Sequence, residues 1–193
     1  MKKSYLISIK PEWAVKILKK EKIYEIRRKV NREILEALDS GETVEMYMYE
    51  TFGKQRYVTW DTWGDKYPEW YGYEIYKNGK RLITQGRGKV VAKLTIDGYE
   101  EVLTQHHIDG EQIERVLKKA CIEHDDLDKY VGDKEQIITL HISKVEIFDE
   151  PMKLGEFVVR KVISEDAKWY GEMNYYEDEL KRPFQNMGKV WVP

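Results

Sequence analysis

Cysteine is almost absent from this sequence of 193 residues: Cys121 stands alone. An internal disulfide is therefore excluded, and one free thiol suits a reducing compartment. No apolar run approaches the ~18 residues that a membrane-spanning helix needs. The apolar stretch behind Lys2 and Lys3 is short and broken by Lys10 and Pro11, which argues against a signal peptide. A cytoplasmic, non-membrane protein is expected. Gly-rich phosphate loops of the Walker or dinucleotide type are missing, as are GxSxG and HExxH, so the common nucleotide, serine-hydrolase and zinc-protease signatures are excluded. His106, His107, Cys121 and His124 contain a Cys-x-x-His half-site but no second well-spaced pair. No metal and no cofactor are expected.

Charge is abundant and nearly balanced: 33 Lys and Arg against 35 Asp and Glu. It is unevenly placed. Residues 10–32 carry nine basic residues against three Glu, and residues 97–128 carry ten acidic residues against three basic ones. The basic block suits phosphates, although two solvated faces of opposite sign would give the same numbers.

Along the chain, an apolar strand (Leu6, Ile7, Ile9) leads into a Pro-started helix over residues 11–20. Trp13, Ala14, Ile17 and Leu18 form its apolar stripe. The next strand alternates, so Glu25 and Arg27 share a face while Lys22 sits at the helix-to-strand corner. A helix is predicted over 31–39 and a strand over 44–49, with Val44, Met46 and Met48 inward. Residues 57–76 hold eight aromatics, and Asn78-Gly79 signals a hairpin. A long strand is expected from Lys89 to about Ile96. Helices follow over 109–123, with Cys121 inward, and over 125–131. A strand over 136–148 breaks parity near Ser143, which predicts a bulge or a strand end. The tail from Glu150 reads as mostly irregular. Helices and strands mix without a repeating period, which excludes a doubly wound parallel sheet. The fold class is α+β, as a small mixed barrel with packed helices. The whole chain, 1–193, reads as one domain with an aromatic-rich hairpin insertion at 53–88.

Lys22, Glu25 and Arg27, behind a strand and a Pro-started helix, resemble the GxKxxExR motif of the ASCH domain, a member of the PUA-like superfamily. Lys20 stands at the motif's glycine. The resemblance continues through Tyr47–Thr51, Gly88–Val91, Phe148–Leu154 and the Arg182, Pro183 and Trp191 segment, and phage and prophage members share this order. It implies a mostly antiparallel PUA-like β-barrel with flanking helices. The motif would lie beside a cleft that takes RNA or a nucleotide-like ligand. A small bacterial branch deacetylates a modified cytidine with a Lys and a Thr. Lys22 matches that Lys, but Glu25 replaces the Thr, so the nucleophilic hydroxyl is missing.

Three readings stay open. In the first, a binding module uses Lys22, Glu25, Arg27, Lys10, Arg28, Arg182 and Gln185 to hold RNA or a nucleotide, with Trp60, Trp63, Trp70 and Tyr71 as stacking candidates. In the second, an amidohydrolase-type enzyme acts on a modified nucleoside through Lys22 and Glu25. In the third, a phage accessory protein binds a host protein through its aromatic insertion. The bland alternatives are a barrel-closing ion-pair network and a satellite aromatic core.

Overall fold

The computed structural model describes residues 2–51, 88–104, 110–162 and 175–192, together with the backbone of short strands between 58 and 84. The first half runs β1 (Lys2–Ile9), α1 (Pro11–Leu18), β2 (Tyr24–Arg27), α2 (Arg32–Asp39) and β3 (Val44–Glu50). Four short strands follow: β4 (Val58–Trp60), β5 (Lys66–Pro68), β6 (Tyr73–Lys77) and β7 (Lys80–Thr84). The second half is β8 (Lys89–Leu103), α3 (Gly110–Ala120), α4 (His124–Val131), β9 (Gln136–Met152), a 3-10 turn at Leu154–Glu156, β10 (Val158–Val162), β11 (Tyr175–Glu179) and β12 (Met187–Val192).

Eight strands form one sheet in the order β11-β10-β12-β1-β3-β8-β9-β2. Every neighbouring pair is antiparallel except β1 and β3, which α1, β2 and α2 connect. The fold is therefore α+β and mostly antiparallel, and the strand ladder is open, ending at β11 and β2. The pairs β4–β5 and β6–β7 are separate two-stranded sheets, and in the latter Lys77 pairs with Lys80 around the Asn78-Gly79 position.

β1 is buried on both faces because helices cover one side and Phe157 and Leu180, beside the sheet strands, pack on the other. Tyr5, Ile7 and Ile9 enter the main core with Ala14, Ile17, Leu18, Met46 and Met48, while Leu6 packs with Tyr49, Phe157 and Val190. A third cluster joins Tyr24 and Ile26 of β2 to Ile113, Val116 and Leu127 of α3 and α4. Val44, Met46 and Met48 face inward as their alternation requires. Of the two expectations at Ser143 the bulge holds, since the strand runs on: Thr95 pairs with Lys144 and Ile96 with Ile142, so Ser143 is the extra residue.

Two expectations are corrected. The tail from Glu150 is not irregular: it holds three strands, and β12 lies between β10 and β1 in the interior of the sheet. Short strands such as Tyr175–Glu179 carry too many charges to signal themselves, and they form because a distant edge pairs with them. Cys121 is not on the inward face of α3, which ends at Ala120. Cys121 has φ 52 in the turn beyond it, and its Sγ–H donates to the Glu21 carbonyl at 3.2 Å.

Candidate functional site

α1 and α3 end at the same place. Pro11 starts α1 and Glu12 stands in its first turn, both favourable there. The chain leaves α1 through Lys20 at φ 62, where Glu21 and Lys22 donate their N–H groups back to the Lys16 carbonyl at 2.9 and 3.1 Å. Such a left-handed exit is usually glycine's. Here Lys20 adopts it with a side chain. This exit turns Lys22 inward although it has the same parity as Tyr24.

Lys22 Nζ donates to the Tyr24 carbonyl at 2.6 Å and to the Ala120 carbonyl at 3.1 Å, and it lies 3.4 Å from Glu25 Oε2. Two of the ammonium's three N–H donors thus meet carbonyls, and its charge faces the Glu25 carboxylate. The Ala120 carbonyl belongs to the α3 C-terminus, where the helix dipole favours a cation. Lys16 uses the same end, donating to the Cys121 carbonyl at 2.9 Å. Burial pushes the Lys22 pKa down, the Glu25 carboxylate opposes that fall, and Arg27 adds to it.

Glu25 Oε1 forms an ion pair with Arg27 Nη2 at 2.9 Å. The same nitrogen donates to the Ser8 carbonyl at 2.8 Å, and Nη1 donates to Asn186 Oδ1 at 2.9 Å. Asn186 also donates to the Lys29 carbonyl at 2.8 Å and accepts at its backbone from Ser8 N–H. Three distant segments thus close around one guanidinium. Lys22, Glu25 and Arg27 are 4%, 7% and 7% exposed. Among the described residues, the buried Arg27 Nε–H has no hydrogen-bond partner.

These groups floor a cleft of about 720 Å³. Among the described residues its lining includes Lys10, Lys22, Arg27, Arg28, Lys29 and Lys134, against one carboxylate, that of Glu25. Trp13, Tyr130, Thr51 and Gln185 also line it. Lys10, Arg28, Lys29, Lys134 and Gln185 stand at the rim, where Lys10 and Arg28 are exposed, while Trp13 and Tyr130 are half-buried. Lys22, Glu25, Arg27, Lys10, Arg28 and Gln185 are therefore brought together. Arg182 is exposed and does not line the cleft. Trp63, Trp70, Tyr71 and the Trp60 side chain lie outside the described residues. Among the described residues, no group of three or more His, Cys, Asp or Glu is placed to hold a metal ion, and no helix is long and apolar enough to cross a membrane.

Trp13 escapes a reading of the sequence because its spacing assigns it to the core stripe. It does touch the core, yet it also lines the cleft. Asn186 and Tyr130 escape it because their relation to Arg27 and Ile26 is made only by folding. Glu50 escapes it as well. It is 1% exposed, its Oε2 has no hydrogen-bond partner among the described residues, and burial pushes its pKa up to about 7. It pairs with Ile9 and precedes Thr51, two residues of the cleft wall.

No protein-family model matches the chain, and no curated protein sequence matches it. Its structure is similar to the crystal structure of ASCH from Zymomonas mobilis, with a TM-score of 0.53 and 14% identity over 98% of this chain and 87% of that one. Crystal structures of a serine-to-alanine and a tyrosine-to-phenylalanine variant of that protein give TM-scores of 0.49 and 0.48. The chain has the fold of an ASCH domain.

Proposed function

We propose that this protein binds RNA or a nucleotide-like ligand in the cleft above Lys22, Glu25 and Arg27. The observation that carries the reading is the composition of that cleft, six cations and two aromatic rings around one carboxylate. Cationic rims supply phosphate affinity, and half-exposed rings accept bases. Fold likeness alone would not support a function. The chain is read as one ASCH-type domain, with 53–88 as an insertion within it.

Binding is favoured over turnover by the state of Lys22. A neutral amine could still serve the two carbonyls but would give up its ion pair with Glu25. The geometry therefore suits a permanent cation more than a general base, despite the downward pull of burial. With Glu25 tied to two cations, an amidohydrolase would have no free nucleophile among the motif residues.

The test is fluorescence anisotropy with a labelled single-stranded RNA across a salt series. Affinity should fall with salt, and Arg28→Ala with Lys29→Ala should flatten the slope by about 0.7 for each phosphate no longer neutralised. No RNA binding at low salt, or hydrolysis of acetylated cytidine that Lys22→Ala abolishes, would overturn this reading.

A further inference from the structure

Trp13 is held unlike any other ring of the described residues. Lys16 Nζ lies 4.9 Å from its ring centroid and Lys22 Nζ lies 5.5 Å from it. Neither ammonium is free to wander, since Lys16 donates to the Cys121 carbonyl and Lys22 to the Ala120 and Tyr24 carbonyls. One side of the indole packs on the main core. The ring is therefore fixed before any ligand arrives, and its remaining surface lines the cleft. Two cation–π contacts withdraw electron density from the ring, which favours an electron-rich partner stacked on the open part. Around it stand Lys10, Arg28, Lys29 and Lys134, with the Arg28 guanidinium 5.3 Å from the Tyr130 centroid at the α4 side.

We propose that Trp13 is the specificity-determining platform of the cleft: one unpaired nucleobase, a purine in preference to a pyrimidine, stacks on it while the rim cations hold the attached phosphate. The inference rests on the nucleotide-binding reading and deepens it. It moves base recognition from the aromatic insertion to α1. A preordered ring loses little freedom on binding, which is where such a site gains affinity. A base inside a duplex is already stacked and cannot reach a ring set between α1 and α4, so paired RNA is rejected. The same chemistry could come from a free nucleotide or from a strand.

The experiment titrates the wild-type protein and Trp13→Leu, which keeps the apolar contact with the core, with four probes: single-stranded oligoadenylate, oligouridylate, adenosine monophosphate and inorganic polyphosphate. A duplex of equal length is the fifth. Binding is read by anisotropy or competition, and circular dichroism verifies the fold of the variant. Trp13→Phe, a smaller ring at the same place, stands in if Trp13→Leu does not fold. The expected result is a loss of about tenfold or more for oligoadenylate in Trp13→Leu, consistent with one base stack. Polyphosphate binding should change by less than about twofold, because the rim cations that hold it are untouched. Wild-type protein should prefer oligoadenylate to both oligouridylate and the duplex. Adenosine monophosphate separates the sources: binding near that of the oligomer means a nucleotide pocket, and much weaker binding means a strand. Nucleic-acid binding that Trp13 variants leave unchanged overturns this inference and spares the binding reading. Absence of binding to every nucleic acid overturns both.

Discussion

Arg27 gives its guanidinium to Glu25, Ser8 and Asn186 and is 7% exposed, whereas Arg28, the next residue, is exposed with its guanidinium over Tyr130. Both line the same cleft. The floor to which Arg27 belongs is a buried network with almost no donor to spare. The rim to which Arg28 belongs has cations open to water. Charge in the floor organises the protein, and charge in the rim is available to a ligand. A motif residue can thus be indispensable to a binding site without being its main contact. Removing a floor residue should register as lost stability, and removing a rim residue as lost affinity.

The sharpest way to break this comparison is Glu25→Ala. It leaves Lys22 and Arg27 buried without their carboxylate, and the expected loss is about 3–5 kcal/mol in urea denaturation. A loss under about 1 kcal/mol, the range of exposed pairs, would show that both cations reach water and that the floor is no different from the rim.

Glu50 sharpens the contrast from the other direction, as a buried carboxylate whose Oε2 lacks a partner among the described residues. Its folded pKa of about 7 lies above its ordinary value of 4.5. The folded state therefore holds a proton that the unfolded state releases, and stability falls as pH rises from about 4.5 through about 7, then levels. Glu50→Gln should abolish that fall and raise stability at about pH 8 by up to about 3 kcal/mol. Parallel pH profiles of wild type and variant would contradict it.

Lys20→Gly tests the turn that delivers Lys22 to the floor. A side chain at φ 62 is strained, and relief should raise stability by about 1 kcal/mol, read from the urea midpoint. Smallest in stability is Arg28→Ala, expected within about 0.5 kcal/mol of wild type, while RNA affinity drops and its salt slope flattens. A clear stability loss there would blur the division between floor and rim.

Much of the frame is legible in the sequence because it depends on short-range patterns. Pro11, the spacing of Ala14, Ile17 and Leu18, and the alternation of Val44, Met46 and Met48 mark their elements locally. The shift of parity around Ser143 marks a bulge without knowledge of the partner strand. Lys22, Glu25 and Arg27 are legible as a constellation. The strands of the tail are not, since β10 and β11 alternate weakly and gain order from long-range pairing. Asn186 and Tyr130 carry no local signal of their partners. Gly188 has a meaning that appears only in three dimensions: an added Cβ would run into the Phe184 ring. The glycine lets that ring tuck beneath β12 beside the segment that offers Gln185 and Asn186 to the cleft.

The three-way closure around the motif also has a consequence for assembly in time. Lys22 waits for a carbonyl 98 positions downstream, and Arg27 waits for an amide 159 positions downstream. Contacts so remote in sequence form late, after their loops have been closed. A chain emerging from the ribosome would display its basic block, residues 10–32, long before it owns a cleft. On the proposed reading, ligand capture would be reserved for molecules whose sheet is finished, and a nascent or clipped chain would meet RNA only through its basic block, without selectivity.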